Sequence, residues 1–263
     1  MIRLAESDEV PKKLKDYPNY KVLALIFGLA VAFQIFNSRD AMHMEFNIFM
    51  ALQTSGLVAC FVSAFLVARR YWGSEIFGRA YIALAIGFVL YFLGDIIKYY
   101  YDYVLRVQSY PSIADVFYLA VYPFVIYHLI KNIIYFKGKG NITVLTKSWL
   151  VAIPIAIVSV YSYFTYATVG EFNFDYYYGL IFVSLVSVTL SHAILGAQVF
   201  RQSVLAATWS LLAIGIFLNT VGHVWFHYLQ IFNAYNHTHP VSTLWITGYM
   251  LITYALYKHL KTI

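Results

Sequence analysis

The sequence predicts an all-α integral membrane protein with eight transmembrane helices, and its composition and apolar patterning support this class. Of its 263 residues, 61% are hydrophobic and 11% are charged, whereas soluble domains carry about 25% charged residues. The mean hydropathy is +0.68. Apolar runs of about 20 residues, long enough to cross the hydrocarbon core of a bilayer, recur from one end of the chain to the other.

Eight apolar runs meet this length. In chain order, the predicted spans are 21–37, 46–68, 79–103, 112–136, 148–168, 177–200, 206–231 and 241–258. The loops before the fourth and the eighth span each contain a proline, Pro111 and Pro240.

The distribution of basic residues predicts the orientation of the spans. With the N-terminus in the cytoplasm, the inner segments hold Arg3, Lys12, Lys13, Lys15, Lys21, Arg69, Arg70, Arg79, Lys131, Lys137, Lys139, Lys147, Arg201, Lys258 and Lys261. Arg39, Lys98 and Arg106 fall on the outer side, the asymmetry that the positive-inside rule describes. Both termini are therefore expected in the cytoplasm. The basic residues that give the chain its net charge of +6 are expected to face anionic lipid of the inner leaflet. No nucleic-acid partner is expected.

The two halves of the chain resemble each other at a spacing of 128 residues (212 minus 84). Residues 84–100 read LAIGFVLYFLGDIIKYY and residues 212–228 read LAIGIFLNTVGHVWFHY. This alignment pairs Gly94 with Gly222 and Asp95 with His223. In the helix that follows, a spacing shorter by one residue pairs Tyr118 with Trp245, Tyr122 with Tyr249 and Asp115 with Ser242.

These matches predict two parallel four-helix repeats, because an even number of spans gives both halves the same direction through the membrane. The expected organisation is a cytoplasmic tail at 1–20, a first repeat at 21–137, a basic cytoplasmic loop at 138–147 and a second repeat at 148–263. In two of these pairs an acidic residue of the first half aligns with a non-acidic residue of the second. This difference suggests that only one half retains a function that requires the polar side chains.

Two stretches of the first half resemble a known class of membrane module. They read GFVLYFLGDIIKYYYDYVL at 87–105 and YPSIADVFYLAVYPFVIYHLI at 110–130. This pattern resembles the multi-span N-terminal sensory modules fused to bacterial diguanylate cyclases, and the closing TLWITGYMLITYAL resembles their last helix. The matching residues are Gly94, Asp95, Pro111, Ser112, Ala114, Asp115, Tyr118, Tyr122 and Pro123. The resemblance implies a membrane sensor. No output domain follows the last predicted span, so signalling through a fused catalytic domain is not expected.

Two acidic residues near the outer ends of predicted spans are candidates for a binding site. An ionisable side chain within a span is a functional candidate because an unpaired charge there is costly. Asp95 meets this description, and Lys98, three residues on, lies close enough for a same-face ion pair. Asp115 follows Ser112 at the spacing of a capping box, so it is expected either to cap a helix or to join Asp95. In the second case the walls of the pocket are Tyr99, Tyr103, Tyr118 and Tyr122.

Histidines raise a second kind of site. His223 and His227 are four residues apart and share one helix face near the outer side, a spacing that can hold a transition metal. His128 and His192 fall in the inner halves of their spans. Histidines at two depths of the membrane are compatible with a protein that binds two haems. However, His223 and His227 lie on one helix, so they cannot bind opposite faces of the same haem. Core histidines that hydrogen-bond across helices are the simpler interpretation.

The sequence thus favours a multi-pass sensory or receptor-like module of the cell membrane. It is expected to bind a small ligand or lipid in an outer-leaflet pocket formed by Asp95, Lys98, Tyr99, Asp115, Tyr118, Tyr122, His223 and His227. Its expected partners are the lipid bilayer, that ligand, and either a cytoplasmic signalling protein or a second copy of the chain. The alternatives are an intramembrane lipid hydrolase that uses Asp and His as acid and base, as in lysoplasmalogenase-like enzymes, and a haem- or metal-binding redox protein. The ligand and any cofactor are left open by the sequence.

Overall fold

A computed structural model of the chain describes residues 17–39, 48–74, 76–107, 110–136, 144–232 and 234–262. Most of the predicted tail at 1–20 and of the predicted basic loop at 138–147 lies outside these ranges. So do the inner-side residues Arg3, Lys12, Lys13, Lys15, Lys137 and Lys139.

The described part of the chain folds into eight long helices and contains no β-strand. They are α1 (Tyr20–Arg39), α2 (Ile48–Arg70), α3 (Phe77–Tyr99), α4 (Ile113–Phe136), α5 (Val144–Val169), α6 (Phe174–Val199), α7 (Ala206–Gln230) and α8 (Pro240–Thr262). A π-helical segment, Tyr100–Leu105, continues α3. The all-α prediction is confirmed.

Seven of these helices are long and apolar enough to cross a bilayer, and they identify a multi-pass membrane protein. Helix α8 has a similar length, but it is not among the seven. It contains buried polar residues, including Ser242, Thr247 and His259. Since α8 lies against α1, α2 and α7, much of its surface meets protein instead of lipid, so it needs fewer apolar residues than a lipid-facing helix.

Six helices form a closed ring. Going around it, α2 packs on α3, α3 on α4, α4 on α6, α6 on α7, α7 on α8, and α8 on α2. Helices α1 and α5 lie outside the ring, α1 against α8 and α5 chiefly against α6. The interior of the ring, where these helices face one another, is therefore shielded from the surroundings of the bundle.

The two ends of the ring differ in which chain segments meet there. At one end, Lys258 donates to the carbonyl oxygen of Tyr17 at 2.9 Å, and Arg70 donates to the carbonyl oxygen of Leu260. We call this the Arg70 end. At the other end α3 and α7 finish and α4 and α8 begin, and we call it the Asp95 end because Asp95 lies in the last turns of α3.

Candidate functional site

A cavity of about 80 Å³ lies inside the ring at the Asp95 end, and all six ring helices contribute to its wall. By this measure one water molecule needs about 10–15 Å³, so there is room for several waters or a small ligand group. Seven of the eight predicted site residues line this cavity: Asp95, Lys98, Tyr99, Asp115, Tyr118, His223 and His227. The eighth, Tyr122, lines a second cavity deeper in the ring. The geometry brings the predicted set together, and its role in binding stays a prediction.

The carboxyl group of Asp95 is buried between two hydrogen-bond donors. The amide nitrogen of Gln53 on α2 donates to Oδ2 at 2.8 Å, and the hydroxyl of Tyr118 on α4 donates to Oδ1 at 2.8 Å. Asp95 is 2% exposed. Three helices therefore fix the position of one carboxyl group at the wall of the cavity.

The expected ion pair between Asp95 and Lys98 is wrong. The ammonium of Lys98 lies 2.8 Å from Oδ2 of Asp102, one helical turn further along. An i, i+4 pair suits the helix surface, whereas Asp95 faces Gln53 and Tyr118 inside the ring. Among the described residues, no basic side chain lies within ion-pair distance of Asp95.

Asp115 forms the predicted helix cap. Its Oδ2 accepts a hydrogen bond from the backbone N–H of Ser112 at 2.6 Å, while the Ser112 hydroxyl accepts from the N–H of Ala114 at 3.2 Å. These bonds satisfy N–H groups at the start of α4 that have no partner within the helix. Because Asp115 also lines the cavity, it combines a folding role with a place at the site.

Aromatic side chains form much of the cavity wall. The rings of Tyr91 and Tyr118 lie 5.0 Å apart between centroids, and Trp245 on α8 lies 5.4 Å from the imidazole of His223. The expectation that Tyr103 belongs to this wall is wrong. Tyr103 lies in the π-helical segment and is 41% exposed, because that segment extends beyond the ring.

The two histidines of α7 contact rings of neighbouring helices. The Nε2 atom of His223 lies 3.4 Å from the hydroxyl of Tyr91. His227 stacks on Phe182 of α6, with 4.7 Å between centroids, and its Nδ1 is buried without a hydrogen-bond partner. Both histidines line the cavity, so their shared face points into the ring as the spacing predicted.

Beneath this polar cavity lies an apolar one of similar size, about 80 Å³. Its wall is made mainly of aliphatic and aromatic side chains from α3, α4, α6, α7 and α8, and it includes Tyr122. Tyr91 and His223 line both cavities. This pair therefore marks the boundary between a polar chamber near the end of the ring and an apolar chamber deeper inside it.

The connection between α7 and α8 closes part of the entrance. His237 stacks on Phe49 of α2 at 5.1 Å, and its carbonyl oxygen accepts a hydrogen bond from Asn37 of α1 at 2.6 Å. Burial, and then the nearby Lys98 ammonium, lower the pKa of His237 to about 4. The imidazole is therefore neutral at pH 7 and adds no positive charge to the entrance.

Sequence reasoning missed Gln53, Tyr91 and Trp245 as parts of this site, whereas His237 was expected near the two histidines of α7. Gln53 is a polar residue within an apolar span, but such residues also serve as packing contacts between helices. Tyr91 and Trp245 carry no local signal, because aromatic residues are common throughout this chain. Their places depend on which helices meet across the ring.

The histidines of the Arg70 end do not assemble with those of the Asp95 end. His128 Nδ1 lies 3.1 Å from the carbonyl oxygen of Ala80, while His192 Nδ1 lies 2.8 Å from that of Val188, within its own helix. In the part of the chain that is described, no three His, Cys, Asp or Glu side chains group as a metal site would require. The geometry therefore lends no support to the metal alternative.

Comparison of the chain with protein-family models, with curated proteins and with solved structures finds no match. The chemistry of the site is accordingly derived from its own residues. It offers a buried carboxyl group, neutral polar groups and aromatic walls around an open space, with an apolar chamber beneath.

Proposed function

We propose that this protein is a membrane sensory or receptor-like module whose ligand occupies the cavity at the Asp95 end. One observation carries the proposal: polar groups are buried around an open space without all of their hydrogen bonds. Gln53 Oε1, His227 Nδ1 and Trp245 Nε1 belong to residues lining the cavity, and none of these three atoms has a hydrogen-bond partner. Because an unpaired buried polar group costs about 1–3 kcal/mol, a ligand or water molecules that satisfy these groups stabilise the folded state.

The Asp95 end faces the outside in this proposal, and both termini lie in the cytoplasm. The basic residues Arg70, Arg201 and Lys258 at or near the opposite end support this orientation through the positive-inside rule. It is tested by placing single cysteines at exposed positions of the two ends, Ala234→Cys and Gln202→Cys, in a Cys60→Ala background. A membrane-impermeant maleimide added outside right-side-out vesicles should label position 234 and spare position 202. The reverse pattern contradicts the orientation.

The two halves of the protein are parallel repeats in this proposal, and matching contacts support it. A Cβ atom added to Gly94 would lie 2.6 Å from the Tyr118 ring, and one added to Gly222 would lie 2.6 Å from the Trp245 ring. These residues correspond in the alignment of the two halves, in which the glycines are 128 residues apart and the aromatic residues 127. The ring of helices has the same regularity, since α2–α3–α4 pack in sequence as α6–α7–α8 do.

The sensory role itself rests on the resemblance to modules that are fused to diguanylate cyclases. Ligand binding at the Asp95 end then changes the relative positions of ring helices, and the change reaches a cytoplasmic partner, or a second copy, at the Arg70 end. The cavity suits such a role because all six ring helices contribute to its wall, so one ligand contacts every element of the ring.

Binding at the cavity is tested by thermal unfolding of the full chain in detergent with a library of soluble small molecules. A compound at 100 times its Kd stabilises its target by about 2.7 kcal/mol. We expect hits whose effect is lost in Gln53→Leu, which removes a donor to Asp95, and kept in Ser55→Ala, an exposed position on the same helix. Stabilisation that persists in Gln53→Leu places binding elsewhere, and a library without hits contradicts the proposal.

A further inference from the structure

The charges around the cavity are unbalanced in favour of negative charge. Of the described residues that line it, Asp95 and Asp115 are acidic, and Lys98 is the one Lys or Arg. The Lys98 ammonium lies 2.8 Å from the Asp102 carboxylate, so its nearest acidic partner is outside the cavity wall. Asp115 accepts the cap hydrogen bond at the start of α4, where the helix dipole favours an acid. Asp95 is therefore the carboxyl group of the wall with neither a cap contact nor, among the described residues, an ion pair.

The two hydrogen-bond partners of Asp95 are neutral. Gln53 and Tyr118 contact its two oxygens at 2.8 Å each. Removing an ionised carboxyl group from water costs several kcal/mol even after the protein relaxes. A cation bound in the cavity would offset this cost and hold Asp95 in its ionised form.

The remaining wall is suited to an organic cation and poorly suited to a metal ion. Nine of the lining residues are Phe, Tyr or Trp: Phe49, Tyr91, Tyr99, Tyr110, Tyr118, Phe182, Phe226, Tyr235 and Trp245. Aromatic rings attract ammonium groups through their negative faces, most strongly where water is excluded. A bare divalent ion instead requires several oxygen or nitrogen ligands at short distance, and no group of three His, Cys, Asp or Glu side chains that could hold one is found among the described residues.

We infer that the ligand of the proposed sensory site carries an organic ammonium group, which binds against the Asp95 carboxylate between the aromatic rings of the polar chamber. This inference rests on the proposed function and names the chemical class of its ligand. The neutral state of His237 at the entrance agrees with it, because that imidazole does not repel an approaching cation. The apolar chamber beyond Tyr91 and His223 then takes whatever apolar part the amine carries.

The inference is tested with a cysteine at Gln230, which lines the cavity at the end of α7. Gln230→Cys in a Cys60→Ala background is treated with three methanethiosulfonates of similar size, carrying a trimethylammonium, a sulfonate or a hydroxyl group. Ala234→Cys, at an exposed loop position, corrects for the intrinsic reactivity of each reagent. We expect the corrected rate for the cation to exceed that for the anion at least tenfold, and Asp95→Asn to remove most of this preference.

The outcomes separate failure of the inference from failure of the proposed function. Reaction with the neutral reagent and no preference for the cation overturns the inference and leaves an accessible cavity. Slow reaction with all three reagents overturns both, because the cavity is then closed. A cationic preference that survives Asp95→Asn also overturns the inference, since it assigns the preference to another charge.

Protection experiments distinguish a soluble amine from a lipid headgroup. Choline is expected to slow the reaction of Gln230→Cys with the neutral reagent severalfold, whereas its uncharged analogue 3,3-dimethylbutan-1-ol is not. Protection found only in nanodiscs of phosphatidylcholine, and not of phosphatidylglycerol, identifies a lipid as the source of the ammonium group. Equal protection by choline and its uncharged analogue overturns the inference, although it supports binding of a small molecule in the cavity. Absence of protection by both choline and phosphatidylcholine also overturns the inference.

Discussion

The two ends of the helical ring contain similar residues and use them differently. At the Arg70 end, Tyr81 lies 4.5 Å from His128 and 4.7 Å from His259, measured between ring centroids. Trp209 stacks on His128 at 5.9 Å and on Phe200 at 4.5 Å, nearly parallel to both. At the Asp95 end, histidines and aromatic rings surround a cavity instead of filling the space.

This contrast separates packing from binding. Both ends bury polar atoms without partners, including His128 Nε2 at one end and Gln53 Oε1 at the other. An unpaired polar atom alone therefore does not identify a site in this protein. What distinguishes the Asp95 end is open space next to such atoms, together with a carboxyl group that has no cationic partner among the described residues.

The largest difference is expected between two tryptophans, one at each end. Trp209 is fully buried among stacked rings, and Trp245 borders the cavity. Trp209→Ala should destabilise the protein by about 3–5 kcal/mol, the usual range for a buried aromatic residue. Trp245→Ala should cost less, because the Trp245 ring borders the cavity and is 6% exposed, against 0% for Trp209. Thermal unfolding in one detergent compares the two, and equal losses would contradict the division into a packed end and an open end.

The next largest effect is the loss of stability expected when a methyl group is added at Gly94 or at Gly222. It tests whether the two halves of the protein are equivalent. Gly94→Ala and Gly222→Ala each push a methyl group into an aromatic ring, and such overpacking costs about 1–3 kcal/mol. If the halves are repeats, the two losses should agree within about 0.5 kcal/mol. Gly28→Ala on α1 is the matched control, because nothing lies within 4 Å of its added Cβ and alanine favours helix. A loss in only one of the two variants contradicts the repeat.

Features set by local sequence were predictable, and features set by contacts around the ring were not. Length and apolarity predicted all eight helices, and the Ser112–Asp115 spacing predicted the cap, because each depends on neighbours in the chain. The partner of Lys98 was missed since Asp102, at i+4, competes with Asp95 at i+3. Gln53 reaches Asp95 only because α2 packs on α3 with these faces together. A single sequence does not show which faces of two helices pack against each other.

A smaller effect tests whether the helix cap at Ser112 serves folding apart from ligand binding. Ser112→Ala removes the hydroxyl that caps α4 and should cost about 1 kcal/mol. Ser55→Ala is the control, because its hydroxyl bonds to a carbonyl of its own helix on an exposed face, and it should cost almost nothing. The loss in Ser112→Ala should be the same with and without a stabilising ligand. A loss that grows when ligand is present would show that the cap also shapes the site.

The smallest expected effect is a pH dependence at the entrance of the cavity. The pKa of His237 is lowered from 6.5 to about 4, so its neutral form stabilises the fold above pH 6.5. This stability declines as the pH falls from 6.5 towards 4, because the unfolded chain then binds a proton more readily than the folded one. The imidazole has three titratable neighbours, Lys98, Asp102 and Tyr235. The variant His237→Phe leaves all three in place and keeps an aromatic ring against Phe49. That variant should lose less stability between pH 6.5 and 4 than the native protein does. An unchanged pH profile in thermal unfolding would mean that the imidazole is solvated and that the entrance is more open than the contact with Phe49 indicates.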